Sequence, residues 1–252
     1  MKVVNNNNKI ISLFSGAGGM DIGFEMAGFE TVVAVEYDKS CCETLKKNRP
    51  NLSVIQGDIS KISTAEILRV GGLKPTEAAV LVGGPPCQSF SLAGKRMGMD
   101  DPRGKLVLEF IRIVKESLPK VFVMENVRGM VNWQDGKAID AILNEISEPI
   151  IFEGQKYQYK VDKAILNALE YGVPQSRERV FIVGNRINKN FEFPQPTHSK
   201  LSNETLNIFG DNKEKTKTVW DAIGGLPDAD IPSETAIRIS ESIKDRIVKY
   251  GY

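Results

Sequence analysis

The sequence predicts an α/β fold: short buried strands alternating with helices, with a ligand crevice at the carboxyl ends of the strands. Three observations predict it. The apolar run Lys9 to Phe14 passes directly into Ser15-Gly16-Ala17-Gly18-Gly19 and then into the helix-like pattern that begins at Met20, which reads as strand, glycine turn, helix. A β-branched run, Glu30 to Val35, ends in Glu36, about twenty residues past the first glycine, where nucleotide-binding α/β folds place an acid for ribose hydroxyls. Three further runs, Ser53 to Gln56, Ala78 to Val82 and Val121 to Met124, each stop at a glycine-rich or polar group.

The elements follow in order. Glycines in the first turn let a backbone approach a ligand and aim helix N–H groups at it, although the same glycines also suit a plain tight turn. The helix Lys39 to Asn48 carries Cys41 and Cys42, read as packing or neutral residues. The third strand ends in Gly57-Asp58-Ile59, with Asp58 open to a ligand role or to capping the next short helix. The fourth strand delivers Gly83-Gly84-Pro85-Pro86-Cys87, where two glycines and two prolines end the strand without letting a helix begin. Cys87 is thereby presented at the ligand edge, as a functional thiol or as an incidental turn residue. Leu92 to Gly104 reads as a loop and Leu106 to Ser117 as a helix stopped by Pro119. The fifth strand is expected to end at Met124, placing Glu125 just beyond it for catalysis or for capping.

Asp135 to Ile146 reads as a helix, and Tyr157 to Leu166 as an extended segment. Arg177 and Arg179 alternate on the approach to the strand Val180 to Gly184. On extended backbone they share a side, suited to a phosphate, a base edge or surface ion pairs. Asn185 to Thr218 reads as loop, and His198, the single histidine, is expected to be solvated there.

Bulk composition narrows the class. The 252 residues carry 33 Lys+Arg against 32 Asp+Glu, net +1, so any nucleic-acid surface has to be a local basic patch. Three cysteines make no disulfide framework, and neither a CxxC pair nor a His-rich cluster suggests a metal. No apolar run has the length of a membrane span, and MKVVNNNNK lacks the core of a signal peptide, so a cytoplasmic protein is expected.

The ordered set FSGAGG, Glu36, GDI, GGPPCQSFS, ENV and QSRERVF resembles the cytosine-5 DNA methyltransferase family, over about Lys9 to Pro227. The resemblance implies a bacterial restriction-modification enzyme with a Rossmann-like class I methyltransferase fold: a seven-stranded, mostly parallel sheet with the last strand antiparallel and helices on both faces. It implies S-adenosylmethionine as cofactor and duplex DNA as partner. Phe14, Ser15, Gly16, Gly18 and Gly19 then hold the methionine part, Glu36 the ribose, and Asp58 with Ile59 the adenine, with Pro85 also on the cofactor side. Cys87 becomes the nucleophile at C6 of a flipped cytosine, Glu125 the residue at N3 and the exocyclic amine, and Arg179, supported by Arg177, the contact to O2. Pro86, Gln88, Ser89, Ser91, Arg103 and Asn126 are expected at the DNA or the target base, with Gln88 to Arg103 closing over it.

Residues 1–227 form the expected catalytic domain and 228–252 a tail. The family's target-recognition region, RE-containing motif and GNAVP-like segment have no counterpart here. The expectation is therefore the catalytic subunit of a split enzyme, with a truncated product as the other reading. A tRNA cytosine-5 methyltransferase and a non-catalytic DNA-binding subunit are the alternatives, the latter disfavoured by the presence of Cys87, Glu125 and Arg179.

Overall fold

The computed structural model describes residues 8–86, 105–132, 137–187, 189–199, 213–226, 237–238 and 241. Cys87, Gln88, Ser89, Ser91 and Arg103, and the expected domain boundary at Pro227, lie outside them.

The first half alternates as the sequence predicts, with one helix that it did not single out: β1 (Lys9–Leu13), α1 (Gly19–Met26), β2 (Glu30–Glu36), α2 (Lys39–Asn48), β3 (Ser53–Gln56), a 3-10 turn (Ile59–Lys61), the added helix α3 (Thr64–Val70) and β4 (Val80–Gly83). Then come α4 (Lys105–Ser117), β5 (Val121–Val127), α5 (Gly129–Asn132), α6 (Lys137–Ser147), a hairpin of β6 (Ile150–Phe152) and β7 (Gln155–Tyr157), β8 (Lys160–Asn167) and β9 (Glu178–Asn185). Two-residue strands β10 (His198–Ser199) and β11 (Glu214–Lys215) and the short helix α7 (Val219–Ile223) follow.

Seven strands form one sheet in the order β3-β2-β1-β4-β5-β9-β8. β1, β2, β3, β4 and β5 pair in parallel, while β9 runs antiparallel to both its neighbours, as the resemblance implies. Order reverses between β1 and β4. The chain winds outward from β1 to β3, returns to β4 and winds the other way, so a crevice opens at the carboxyl ends of β1 and β4.

One sheet face is heavily covered. Phe110 of α4 packs edge-on against Phe122 of β5 at 6.3 Å between centroids, and Phe122 against Tyr159 at 5.2 Å. Ile139, Ile142 and Ile146 of α6 join the same core, apolar at the i, i+3, i+7 spacing that puts them on one helix face. On the other face a smaller cluster, Ile10, Ala79, Val80 and Val82, is covered in part by Met20 and Phe24 of α1.

Two expectations are corrected and one element is added. The fifth strand does not stop at Met124 but continues through Glu125 and Asn126 to Val127, because β9 keeps pairing with it as far as Val127 opposite Arg179. The extended segment from Tyr157 is preceded by the β6–β7 hairpin, whose two turn residues, Glu153 and Gly154, have φ of 48° and 76°, the left-handed pair such a turn requires. His198 is buried, not solvated. Its Nδ1 lies 2.9 Å from the Thr197 hydroxyl, and its ring fills space that Gly172 leaves open, since a Cβ there would come within 2.8 Å of Cε1.

Candidate active site

β1 lies between β2 and β4, so the loop leaving Leu13 enters the crevice. It does so by an unusual path, with Phe14, Gly16 and Gly18 at φ of 54°, 54° and 84°. Gly18 faces the protein, where a Cβ would lie 3.0 Å from Leu45 and 3.2 Å from the Arg49 guanidinium. Gly16 and Gly19 face the other way. A Cβ on either would meet nothing within 4 Å, which makes the loop an open cradle.

Glu36, at the end of β2, joins that loop. Its Oε2 accepts from the Gly16 amide at 2.7 Å, and its Oε1 from the amides of Tyr37 and Asp38 at 2.8 Å each. A carboxylate offers about four lone-pair positions, so three amides leave one on Oε2 for a ligand hydroxyl. Asp58 caps the 3-10 turn. Its Oδ1 accepts from the Ser60 hydroxyl at 2.8 Å and the Ser60 amide at 3.0 Å, which hold the carboxyl below its usual range and leave Oδ2 for a ligand. Asp58 is thus the cap of this turn, one of the two roles its sequence position left open.

A cavity of about 790 Å³ joins these groups, with Phe14, Glu36, Asp58, Ile59, Pro86 and Leu106 among its walls. A second cavity, of about 720 Å³, has Phe14, Ser15, Gly84, Glu125, Arg177 and Arg179 on its walls. The two share Phe14 and Gly84. A ligand in one therefore lies next to a ligand in the other, and Pro86, the residue before Cys87 in the sequence, lines the first.

In the second cavity, Glu125 on β5 and Arg179 on β9 stand diagonally across an antiparallel ladder, in which Glu125 is opposite Phe181 and Arg179 opposite Val127. Their side chains meet, Arg179 Nε donating to Glu125 Oε1 at 2.8 Å, with each side chain 23% exposed. Arg179 also donates through Nη1 to the Glu178 carbonyl at 2.8 Å. Arg177 lies just before β9, exposed, its backbone held by Asn167 and Ala168. Both arginines thus line one wall, as their spacing predicts.

Two expected placements differ. Asn126, expected at the target base, is 3% exposed. It donates from Nδ2 to the Pro85 carbonyl at 3.1 Å and accepts the Val127 amide at 2.8 Å, so it braces the Pro85–Pro86 turn against β5. Pro85, expected at the cofactor, is buried and turns its carbonyl to Asn126, whereas Pro86 lines the cavity of Glu36 and Asp58.

Other residues at the site were not singled out by sequence reasoning. Arg112 of α4 reaches the carbonyls of Ile59 and Ile62 at 3.3 and 3.1 Å and so ties the Asp58 turn to α4. Its signal in the sequence is only a charge within an otherwise apolar helical pattern. Tyr171 and Phe181 line the cavity of Glu125. Among the described residues, no group of His, Cys, Asp and Glu could hold a metal ion, and no helix is long and apolar enough to cross a membrane.

The sheet order with its single antiparallel strand, and the glycine loop at the point of reversal, match the class I methyltransferase fold that the resemblance implies. The sequence profile of the C-5 cytosine-specific DNA methylases matches residues 8–245. The chain is 60% identical over 246 residues to the Type II methyltransferase M.AquIA of Picosynechococcus sp., covering 97% of this chain and 99% of that one. It is 47% identical over 195 residues to M.FnuDI of Fusobacterium nucleatum, covering 76% of this chain and 52% of the relative. Among solved structures, a putative DNA modification methyltransferase from an E. coli prophage aligns with TM-score 0.65 at 29% identity, over 88% of this chain and 56% of that one. The S. pombe Dnmt2 methyltransferase shares the fold, with TM-score 0.61 at 19% identity over 96% of this chain and 65% of the other.

The chain belongs to the C-5 cytosine-specific DNA methylase family, of the bacterial restriction-modification type. It spans nearly all of M.AquIA but about half the length of M.FnuDI. Family and fold imply S-adenosylmethionine as the methyl donor.

Proposed function

We propose that this chain carries out methylation at C5 of a flipped-out cytosine in a specific duplex DNA sequence, through a bond between Cys87 and C6, as the catalytic part of a two-polypeptide enzyme acting in the bacterial cytoplasm. The observation that carries the reading is the pair of cavities meeting at Phe14 and Gly84, one lined by the acids Glu36 and Asp58, the other by the Glu125–Arg179 pair.

The residues fit the cofactor. The open cradle over Gly16 and Gly19 suits the methionine end. The remaining lone pair of Glu36 suits a ribose hydroxyl, and Asp58 Oδ2, beside the apolar Ile59, suits the adenine amine. S-adenosylmethionine supplies an electrophilic methyl group when bound. Glu36→Gln, which sets an amide N–H₂ among three backbone donors, is expected to weaken S-adenosylhomocysteine binding about tenfold, or about 1.4 kcal/mol, by calorimetric titration.

The residues of the second cavity address the low nucleophilicity of C5. The Cys87 thiolate adds to C6, and the electron pair of the C5–C6 double bond moves toward the ring carbonyl and N3, which leaves C5 with enamine character. Glu125 holds a proton at N3 and accepts from the exocyclic amine, while Arg179 donates to O2, so charge developing on the ring meets preplaced partners. C5 would then take the methyl group of the bound cofactor, which would leave as S-adenosylhomocysteine, and loss of the C5 proton to water with departure of the thiolate would restore the aromatic ring. A free thiol near neutrality is ionised to only a few per cent, so the local field around Cys87 must raise that fraction. None of these atoms can be reached inside a duplex, so the base must be extruded into the cavity.

A second polypeptide bringing target recognition accords with the greater length of relatives such as M.FnuDI. It also accords with the apolar outer face of α1, where Ile22 and Met26 are 49% and 84% exposed beside the glycine loop. The test uses tritium-labelled S-adenosylmethionine with duplex DNA and with tRNA, with and without the product of the adjoining gene. Label at C5 of cytosine in DNA only when both polypeptides are present is expected. Full labelling by this chain alone overturns the two-polypeptide reading, and label in tRNA alone overturns the DNA reading.

A further inference from the structure

Beneath the glycine loop lies a polar cluster that the mechanism above does not use. Ser12 lies near the carboxyl end of β1, between Ile11 and Leu13, and Asp21 in the first turn of α1; each is 1% exposed. The Ser12 hydroxyl donates to Asp21 Oδ1 at 2.6 Å and lies 2.9 Å from the hydroxyl of Ser15, within the loop itself. On the other side, Arg49 at the C-cap of α2 brings Nη1 to 3.4 Å from Asp21 Oδ2 and pairs with Glu25 through Nη2. The same Nη1 lies 3.2 Å from where a Cβ on Gly18 would sit. Residues from β1, α1 and α2 thus converge on the underside of a loop whose upper side is the open cradle.

Two physical considerations separate this cluster from ordinary core packing. First, Phe14, which is not a glycine, holds φ of 54° where the loop begins, and such a conformation persists only where its surroundings over-determine it. Gly18, the N-cap of α1, has no side chain to cap the helix, so the loop is not fixed by the usual capping bond. Second, the carboxyl is retained at a cost to stability. Burial pushes the Asp21 pKa up, and the Ser12 hydrogen bond and Arg49 offset this only in part. A carboxyl whose pKa is raised on folding contributes stability below its ordinary value and loses it as pH rises through the raised one. Ionising Asp21 within the fold therefore costs more than ionising it in the unfolded chain. A group kept against stability, in contact with a functional loop, points to a role in that loop.

We infer that Asp21 is a positioning residue for the cofactor: held between Ser12 and Arg49, it sets the Ser15–Gly19 loop in its binding shape before the ligand arrives. This rests on the cofactor reading given above. Preorganisation of this kind acts on affinity, because the ordering of the loop is already complete when the ligand binds.

The test is calorimetric titration of S-adenosylhomocysteine into the full chain, with its partner polypeptide if the two are required together. Asp21→Asn is expected to raise Kd about tenfold, to leave turnover at saturating cofactor within about twofold, and to leave Tm unchanged or higher. Ser12→Ala should shift Kd in the same direction, by about threefold, and the double variant should lose less than the product of the two, because both act through one cluster. If wild type itself fails to bind S-adenosylhomocysteine, the cofactor reading falls, and this inference with it. If wild type binds and Asp21→Asn binds within about twofold of it, the inference alone falls. It also falls if Kd and Tm worsen together, which marks Asp21 as mere packing. Should Asp21→Asn fail to fold, Ser12→Ala decides: an unchanged Kd there overturns the assignment.

Discussion

Glu125→Gln is expected to slow methyl transfer about 10²–10³-fold at saturating DNA and cofactor, with binding of both changed little. Glutamine keeps the shape of the side chain, so the cavity wall survives. It cannot hold a transferable proton at N3, and it replaces the carboxylate oxygen that accepts from Arg179 Nε at 2.8 Å with a neutral amide. With the pair only 23% exposed, the Arg179 guanidinium is then left without its counter-charge inside the cavity. The space for Glu125 is set by Gly84, where a Cβ would lie 3.1 Å from Oε2, so the turn before Cys87 and the acid on β5 are fitted to one another. Single-turnover kinetics separate the outcomes. A loss confined to KM would make Glu125 a binding group and nothing more.

The largest effect on stability is expected at the far side of the sheet. A Cβ on Gly184 of β9 would fall 2.0 Å from Cε1 of Phe122, which is fully buried and wedged edge-on between Phe110 and Tyr159. Gly184→Ala must displace Phe122, and neither neighbour can yield. Tyr159 is pinned by the bond from its hydroxyl to the Pro119 carbonyl at 2.7 Å, and Phe110 lies in the middle of α4. Overpacking of this kind costs about 3 kcal/mol. In a chain of this size that lowers Tm by about 6–12 °C, measurable by thermal denaturation. An unchanged Tm would show that the β5–β9 packing is looser than described.

These two residues also mark what a reader of the sequence can and cannot see. The alternation of β1 to β4 with their helices is legible because each strand is a short β-branched run stopped by glycine or a polar residue, and α2 and β3 fall where those stops place them. Glu125 is legible as a candidate but not as a strand residue. Only the pairing of β9, some fifty residues later in the chain, carries β5 past Met124. Asn126 looks like a base contact in the sequence, and its burial follows from a carbonyl at Pro85 that no local pattern reveals. His198 is similar: the hole that accepts its ring is made by Gly172. The Ser12–Asp21–Arg49 cluster is the clearest case, since its members come from three elements and each alone reads as an ordinary polar residue. What the sequence conceals is convergence across elements.

The central claim, that Cys87 attacks C6 of an extruded cytosine, is tested most directly by a covalent trap. Chain and partner are incubated with S-adenosylmethionine and a duplex carrying 5-fluorocytosine at the target position, where fluorine blocks the loss from C5 that would release the enzyme. A protein–DNA adduct stable to denaturation, formed by wild type and absent in Cys87→Ala, is predicted. An adduct that persists in Cys87→Ala, or none with wild type under conditions where unmodified DNA is methylated, would contradict the account.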